Sequence, residues 1–223
     1  LAATANNFAR ESHLDEMARH FGADPVEFRL RHLADDRLAA VLRAVAARCG
    51  EQAREDGADR DSGDGRPARG RERVGLGIAC GTEKGSYVAT AARVAVDGDG
   101  RLRLLGIVTG FECGTIVNPD NLTNQVQGAT VMGLGGALFE EIDFADGRLL
   151  NASLSEYRVP RLPDVPDVEV ILLDRQDLPS AGGGETPIIA IAPALANAIR
   201  DATGRRLRSL PLAPRGVIGQ SGG

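Results

Sequence analysis

The sequence predicts an α+β fold of mixed α/β layering, and three observations carry that reading. Apolar residues recur at helical spacing through the first 50 positions. From Val74 the period falls to two, with a DGDG turn signal at 97–100. Near the carboxy terminus an apolar strand-like run, 167–173, is followed by a helix pattern that stops at Gly204. Strand, helix, hairpin, strand and helix after a helical start is the layout of a mixed two-layer or three-layer domain. The 223 residues suffice for one large or two small domains with a real core.

The elements follow in order. Residues 7–21 fit an amphipathic helix in which Phe8, Leu14, Met17, Ala18 and Phe21 share a broad face, and Gly22 stops it. Asp24 is placed to cap a second helix, with Pro25 in its first turn and Glu27 completing a capping box. Val26, Leu30 and Leu33 form its core stripe. A third helix covers about 37–49 through Leu38, Val41, Leu42, Val45 and Cys49. Residues 51–73 then hold seven acidic and six arginine side chains and almost nothing apolar, too little to offset the entropy of ordering them. The expected organisation is therefore a helical segment over 1–50, a charged linker or loop over 51–73, and an α/β unit over 74–223. Within the last, 75–80, 86–97 and 101–109 read as strands, 111–122 as a long turn, and 121–138 as a glycine-rich helix. A hairpin turns at 145–147, and a final helix runs over 193–203 with Leu195, Ala198, Ile199 and Ala202 on its buried face.

Composition excludes several function classes. A net charge of −5 without a basic stripe argues against a nucleic-acid surface. No apolar run is long enough to span a bilayer, so a soluble protein is expected, of cytoplasm or periplasm; that no signal peptide is visible is uninformative, because an amino-terminal address could lie upstream of Leu1. The chain opens at Leu1 inside a helical pattern and reads as the carboxy-terminal part of a larger enzyme. Cys49, Cys80 and Cys113 form no close pair and read as three thiols rather than a disulfide framework. His13, His20 and His32 make no ligand pattern, so no metal ligand is expected from this chain.

Two segments stand out for chemistry. In DLPSAGGGETPIIAIAPA, 177–194, three glycines precede Glu185 and an apolar run follows. Glycines let a ligand approach the backbone and permit angles other residues resist, and a carboxylate so placed can have a raised pKa and act as a base. The competing reading is a surface turn with an exposed glutamate. In CGTIVNPDNLTNQVQG, 113–128, Asn118, Asn121, Asn124, Gln125 and Gln127 gather at a turn and the first turns of a helix. Amides and free backbone N–H groups there suit phosphates or heterocycle edges; capping and solvated surface is the alternative. Neither segment is a dinucleotide fingerprint or a Walker-type phosphate-binding loop.

Together with NNFARESHLDEMARHFGADPVEFRLRHL, YRVPRLPDVPDVEV and ALANAIRDATGRRLRSLPL, these segments resemble the molybdopterin-binding large subunit of the xanthine dehydrogenase and aldehyde oxidase family. The branch most resembled is the isoquinoline 1-oxidoreductase and nicotinate dehydrogenase type. The resemblance implies an incomplete molybdenum-cofactor-binding domain of a molybdenum hydroxylase, which oxidises an aldehyde or aromatic N-heterocycle with oxygen taken from water. It implies that Glu185 is the base, that Gln125, Asn118 and Gly128 approach the cofactor, and that Gly183 and Gly184 shape the loop beside it. It further implies a molybdenum–molybdopterin cytosine dinucleotide whose metal is ligated by the pterin, iron–sulfur clusters on a small [2Fe–2S] partner subunit, and an amino-terminal part of the large subunit that carries further cofactor loops. GET stands at 184–186 where the family has GEP or GEA. Because part of the cofactor cage lies elsewhere, the isolated chain is expected to be inactive. The rival reading is a truncated module that serves only subunit assembly or the cofactor cage.

Overall fold

The computed structural model describes residues 2–57 and 72–218. The middle of the expected charged linker, 58–71, lies outside the described residues. The elements are α1 (Ala2–His20), α2 (Pro25–His32), α3 (Asp36–Gly57), β1 (Arg73–Glu83), β2 (Ser86–Val96), β3 (Leu102–Glu112), α4 (Pro119–Leu138), β4 (Phe144–Ala145), β5 (Arg148–Leu149), β6 (Val168–Leu172) and α5 (Ile191–Thr203). A 3-10 turn over Thr186–Ala190 leads into α5.

The main sheet has the order β1-β2-β3-β6. Its first three strands form an antiparallel meander, and β6 joins β3 in parallel after the α4 crossover. The β1–β2 turn and the carboxyl ends of β3 and β6 consequently all emerge at one end of the sheet. Two apolar cores lie on its two faces. Leu38, Val41, Leu42 and Val45 of α3 cover Ile78, Cys80, Ala89, Ala91 and Val108. On the opposite face, α4 and α5 cover Val88, Val94, Ile107 and Phe111 with Val126, Leu134, Leu195 and Ile199. The mixed α/β architecture expected from the sequence is thus observed.

Glycine sets how closely α5 lies on β1. A Cβ built on Gly77 would stand 2.1 Å from Ala198 N and 2.2 Å from Ala194 O, and one on Gly75 would stand 2.2 Å from Ala198 O. The period-two pattern at 75–80 therefore has glycines on one face because a helix backbone, not a side chain, fills that face.

Several expectations need correction. The buried face of α1 is largely polar: Asn7, Glu11, Ser12 and Asp15 are buried with Phe8 and Ala18, whereas Phe21 is 64% exposed. The helix is turned toward hydrogen-bonding partners. Glu11 Oε2 accepts from Arg29 Nε at 2.8 Å and from the Cys80 backbone N–H at 3.0 Å, and Arg29 Nη2 donates to Glu11 O at 2.9 Å. The capping box at α2 is replaced by Asp24 alone, whose Oδ1 accepts from both Val26 N and Glu27 N. Helix α3 runs past 49 to Gly57, into the charged stretch, and β3 runs past 109 to Glu112. The hairpin at 145–147 forms with strands of only two residues, turning through left-handed Asp146 and Gly147. All three cysteines are free; burial raises each thiol, Cys49 to about 11.

These contacts set the expected cost of disturbing them. Gly77→Ala should lower unfolding free energy by about 3 kcal/mol, because neither the α5 backbone nor the strand can yield cheaply. Gly98→Ala, which meets nothing within 4 Å, should change it by less than about 0.5 kcal/mol in the same denaturant titration. Glu11→Gln preserves shape but leaves the Arg29 guanidinium buried without its counter-charge, and should cost about 3 kcal/mol. A denaturation midpoint equal to that of the parent chain would contradict this assignment.

Candidate functional site

The two segments singled out in the sequence meet at the end of the sheet where β3 and β6 finish. After β3 the chain turns through left-handed Gly114, at φ 79°, and a Cβ there would fall 2.0 Å from Pro179 O. Thr115 N and Thr115 Oγ1 both donate to Leu178 O, at 3.1 and 2.6 Å. Ser180 Oγ donates to Thr115 O at 2.6 Å, and Ala181 N to Cys113 O at 2.7 Å. The glycine loop is thereby held to the turn before α4 from both sides. From the other flank Ser86 Oγ donates to Gly182 O at 2.6 Å and Thr186 Oγ1 to Glu83 O at 3.0 Å, which fixes the loop to the β1–β2 turn.

None of Gly182, Gly183 and Gly184 has a left-handed φ. Their service is space rather than unusual backbone angles, contrary to part of the sequence expectation. A Cβ on Gly183 would meet Leu122 Cδ1 at 2.7 Å, so Gly183 seats the loop on α4. Gly182 and Gly184 face open space.

Glu185 follows, half-exposed at the start of the 3-10 turn that leads into α5. Its Oε2 accepts from Lys84 Nζ at 2.6 Å. Lys84 occupies a left-handed position, φ 52°, in the two-residue Lys84–Gly85 turn between β1 and β2. The hydrogen bond and charge of Lys84 hold the Glu185 carboxyl below its ordinary pKa. The raised pKa expected from the neighbouring apolar run does not occur, because that run turns into the core while the carboxylate stays in solvent beside an ammonium.

The amides at α4 divide in their roles. Asn118 is the helix N-cap, its Oδ1 accepting from Asn121 N at 2.9 Å, which leaves Nδ2 as its free donor group. Gln127 Nε2 donates to Val168 O at 3.3 Å and so ties α4 to β6. Gln125 and Gly128 lie on the exposed side of α4, and nothing stands within 4 Å of a Cβ on Gly128. Among the described residues no group of three or more His, Cys, Asp or Glu is arranged to hold a metal ion.

Sequence reasoning missed Lys84, Glu112 and Arg37. Glu112 is buried; its Oε1 accepts from Gly114 N at 2.5 Å and from Arg37 Nη2 at 2.7 Å, and its Oε2 accepts from Arg37 Nε at 2.5 Å. Burial opposes its charge, but Arg37 and the Gly114 N–H prevail and lower its pKa. The only local signal was the Lys-Gly dipeptide between two alternating runs, a hairpin turn signature.

Residues 82–166 match the family described as the molybdopterin cofactor-binding domain. Over 234 aligned positions the chain is 33% identical to a nicotinate dehydrogenase polypeptide of Pseudomonas putida, an alignment that covers all of this chain and 19% of that protein. It is 34% identical over 209 positions to the beta polypeptide of isoquinoline 1-oxidoreductase from Brevundimonas diminuta, covering 93% of this chain and 25% of that one. The chain thus spans about a quarter or less of the length of these relatives. The crystal structure of quinoline 2-oxidoreductase from Pseudomonas putida 86 superposes with a TM-score of 0.54 at 27% identity, covering 59% of this chain and 18% of that chain. The aldehyde oxidoreductase of Desulfovibrio desulfuricans superposes with a TM-score of 0.78 over 95% of this chain and 40% of that one; at 16% identity it speaks to the fold alone. The chain carries a molybdopterin-binding domain related to the molybdenum hydroxylases, the xanthine dehydrogenase and aldehyde oxidase family of oxidoreductases.

Proposed function

We propose that this chain is part of a molybdenum hydroxylase that oxidises an aldehyde or an aromatic N-heterocycle with water as the oxygen source, and that Glu185 is its base. One observation carries the reading: a single ionised carboxylate stands at the end of a glycine loop that is hydrogen-bonded on both flanks yet open at Gly182 and Gly184.

The residues present fit a flat pterin cofactor. Gly128 and Gly184 leave backbone uncovered, Gln125 offers an exposed amide one turn before Gly128, and Asn118 retains its Nδ2 donor. Gly183 acts differently, as the seat for Leu122. A molybdenum–molybdopterin cytosine dinucleotide, when bound, supplies the metal and accepts the two electrons. The chain's own contribution is positioning and proton movement. Gln125 and Asn118 hold the pterin edge, Gly184 admits it to the loop, and the Glu185 carboxylate accepts the proton of the oxygen that is transferred to the substrate carbon. Substrate C–H and water become C–OH, with two electrons and two protons leaving. Clusters of [2Fe–2S] type on a small partner subunit would take up the electrons, and the rest of the large subunit would supply the remaining cofactor loops.

Assembly alone is the second reading. It draws on the segment around β4 and β5, where Ile142, Phe144, Leu149, Leu150, Leu154 and Leu162 are exposed.

In the complete cofactor-loaded enzyme, Glu185→Gln should leave molybdenum content unchanged and lower turnover by about three orders of magnitude. Turnover near that of the parent enzyme would refute the base and favour the assembly reading. Because Lys84 depresses the Glu185 pKa, the base is lost only as pH falls through that lowered value. Lys84→Gln should therefore move the acidic limb of the rate profile upward, toward the ordinary carboxylate range. An unmoved limb would show that Lys84 does not set the ionisation of this base.

A further inference from the structure

We propose that Arg37, at the start of α3, is a positioning residue that holds both walls of the Glu185 site. The inference rests on Glu185 as the working carboxylate, and it concerns a side chain that does not touch it.

Glu185 is reached from two sides. One is the turn after β3, which carries the glycine loop through the bonds of Cys113, Thr115 and Ser180. The other is the β1–β2 turn, which carries Lys84 and receives the loop at Ser86 and Glu83. Arg37 contacts both. Its Nε and Nη2 form a two-bond fork with Glu112, and Glu112 Oε1 in turn accepts from Gly114 N. The same Nη2 donates a longer bond, 3.4 Å, to Gly85 O, the residue beside Lys84. The guanidinium lies over the Tyr87 ring at 4.3 Å, against the strand that leaves that turn.

Arg37 is itself held in place. Asp35 caps α3, its Oδ1 accepting from Arg37 N at 2.9 Å and Leu38 N at 3.1 Å. Leu38, Val41 and Leu42 anchor the helix in the core beneath the sheet. A rigid helix therefore presents a planar fork at the joint between two turns that the end of the β2–β3 ladder, Tyr87 opposite Glu112, and the glycine loop also hold together. Gly114 makes the arrangement exacting: its left-handed φ and its approach to Pro179 O leave the loop few alternative positions once Glu112 has fixed the Gly114 N–H. Loosening Glu112 frees the turn, and with it the loop that ends in Glu185.

The test is amide hydrogen exchange on the full chain carrying Arg37→Gln, Arg37→Lys or Glu112→Gln, with turnover measured in the loaded enzyme. Arg37→Gln should speed exchange at Gly114, Thr115 and Ala181 by about tenfold and leave the amides of α5 unchanged. Glu112→Gln should reproduce this, and Arg37→Lys should restore it only in part, because an ammonium keeps the charge but lacks the fork. In the loaded enzyme Arg37→Gln should lower kcat about tenfold with KM unchanged, the signature of a displaced reacting group. Unchanged exchange at the three amides, equal acceleration in α5, or full rescue by lysine would overturn the proposal. Slow exchange together with an inactive Glu185→Gln would sink Arg37 and leave the base standing; fast exchange with an active Glu185→Gln would do the reverse.

Discussion

The Glu11 carboxylate is the contact on which the amino-terminal third is mounted. Strand β1 is an edge of the sheet, and an edge presents backbone groups that need partners. Glu11 accepts the outward N–H of Cys80, Asp201 that of Leu76, and Asn197 Nδ2 donates to Ile78 O. Residues 76 and 78 are thus satisfied by side chains of α5, and residue 80 by one of α1. Arg29 neutralises Glu11 and, through Glu11 O, fixes α2 against α1, its guanidinium steadied by Pro25 O of its own helix. Arg206 continues the seam by bonding Asn197 Oδ1 and pairing with Asp15. Such buried pairs add little stability over an apolar filling, but removing one partner is costly. Their service here is to specify which face of a largely polar helix turns inward.

The site depends on topology in a second way. Parallel pairing of β3 with β6 requires a crossover, and α4 supplies it. Both loops that follow these strands then open at the same end, the arrangement by which parallel sheets commonly build ligand sites. The meander adds its Lys84–Gly85 turn at that end. Three separate stretches of chain converge without any of them needing an internal ligand motif.

Much of this was legible in the sequence where the physics is local. Asp24, Pro25, Gly204 and the apolar periods of α3 and α5 act within a few residues of themselves, and the elements they predict are found. The polar inward face of α1 is not legible, because apolar spacing says nothing of a helix that docks through Asn7, Glu11 and Asp15. Glu185 is visible as a carboxylate after three glycines, but its ionisation is set by Lys84 rather than by its sequence neighbours. Lys84 stands 101 residues away, and Arg37 and Glu112 are separated by 75. Pairings of that length leave no mark on local pattern. The glycines of β1 were also ambiguous: Gly75 and Gly77 look like weak strand residues until α5 is seen to need their missing side chains.

Those long separations also bear on the order in which the molecule assembles. The β1–β2–β3 meander and the pair α2–α3 close short loops, whereas the bonds around Glu185 join residues that the chain brings together only after α4 has crossed and β6 has docked. Contacts that close long loops incur their entropy before they return any stabilisation. By that argument the β1–β2–β3 meander can form before the carboxylate's surroundings, which need α4 and β6 in place. A preparation judged folded by its helices and meander can already have lost the geometry at Glu185.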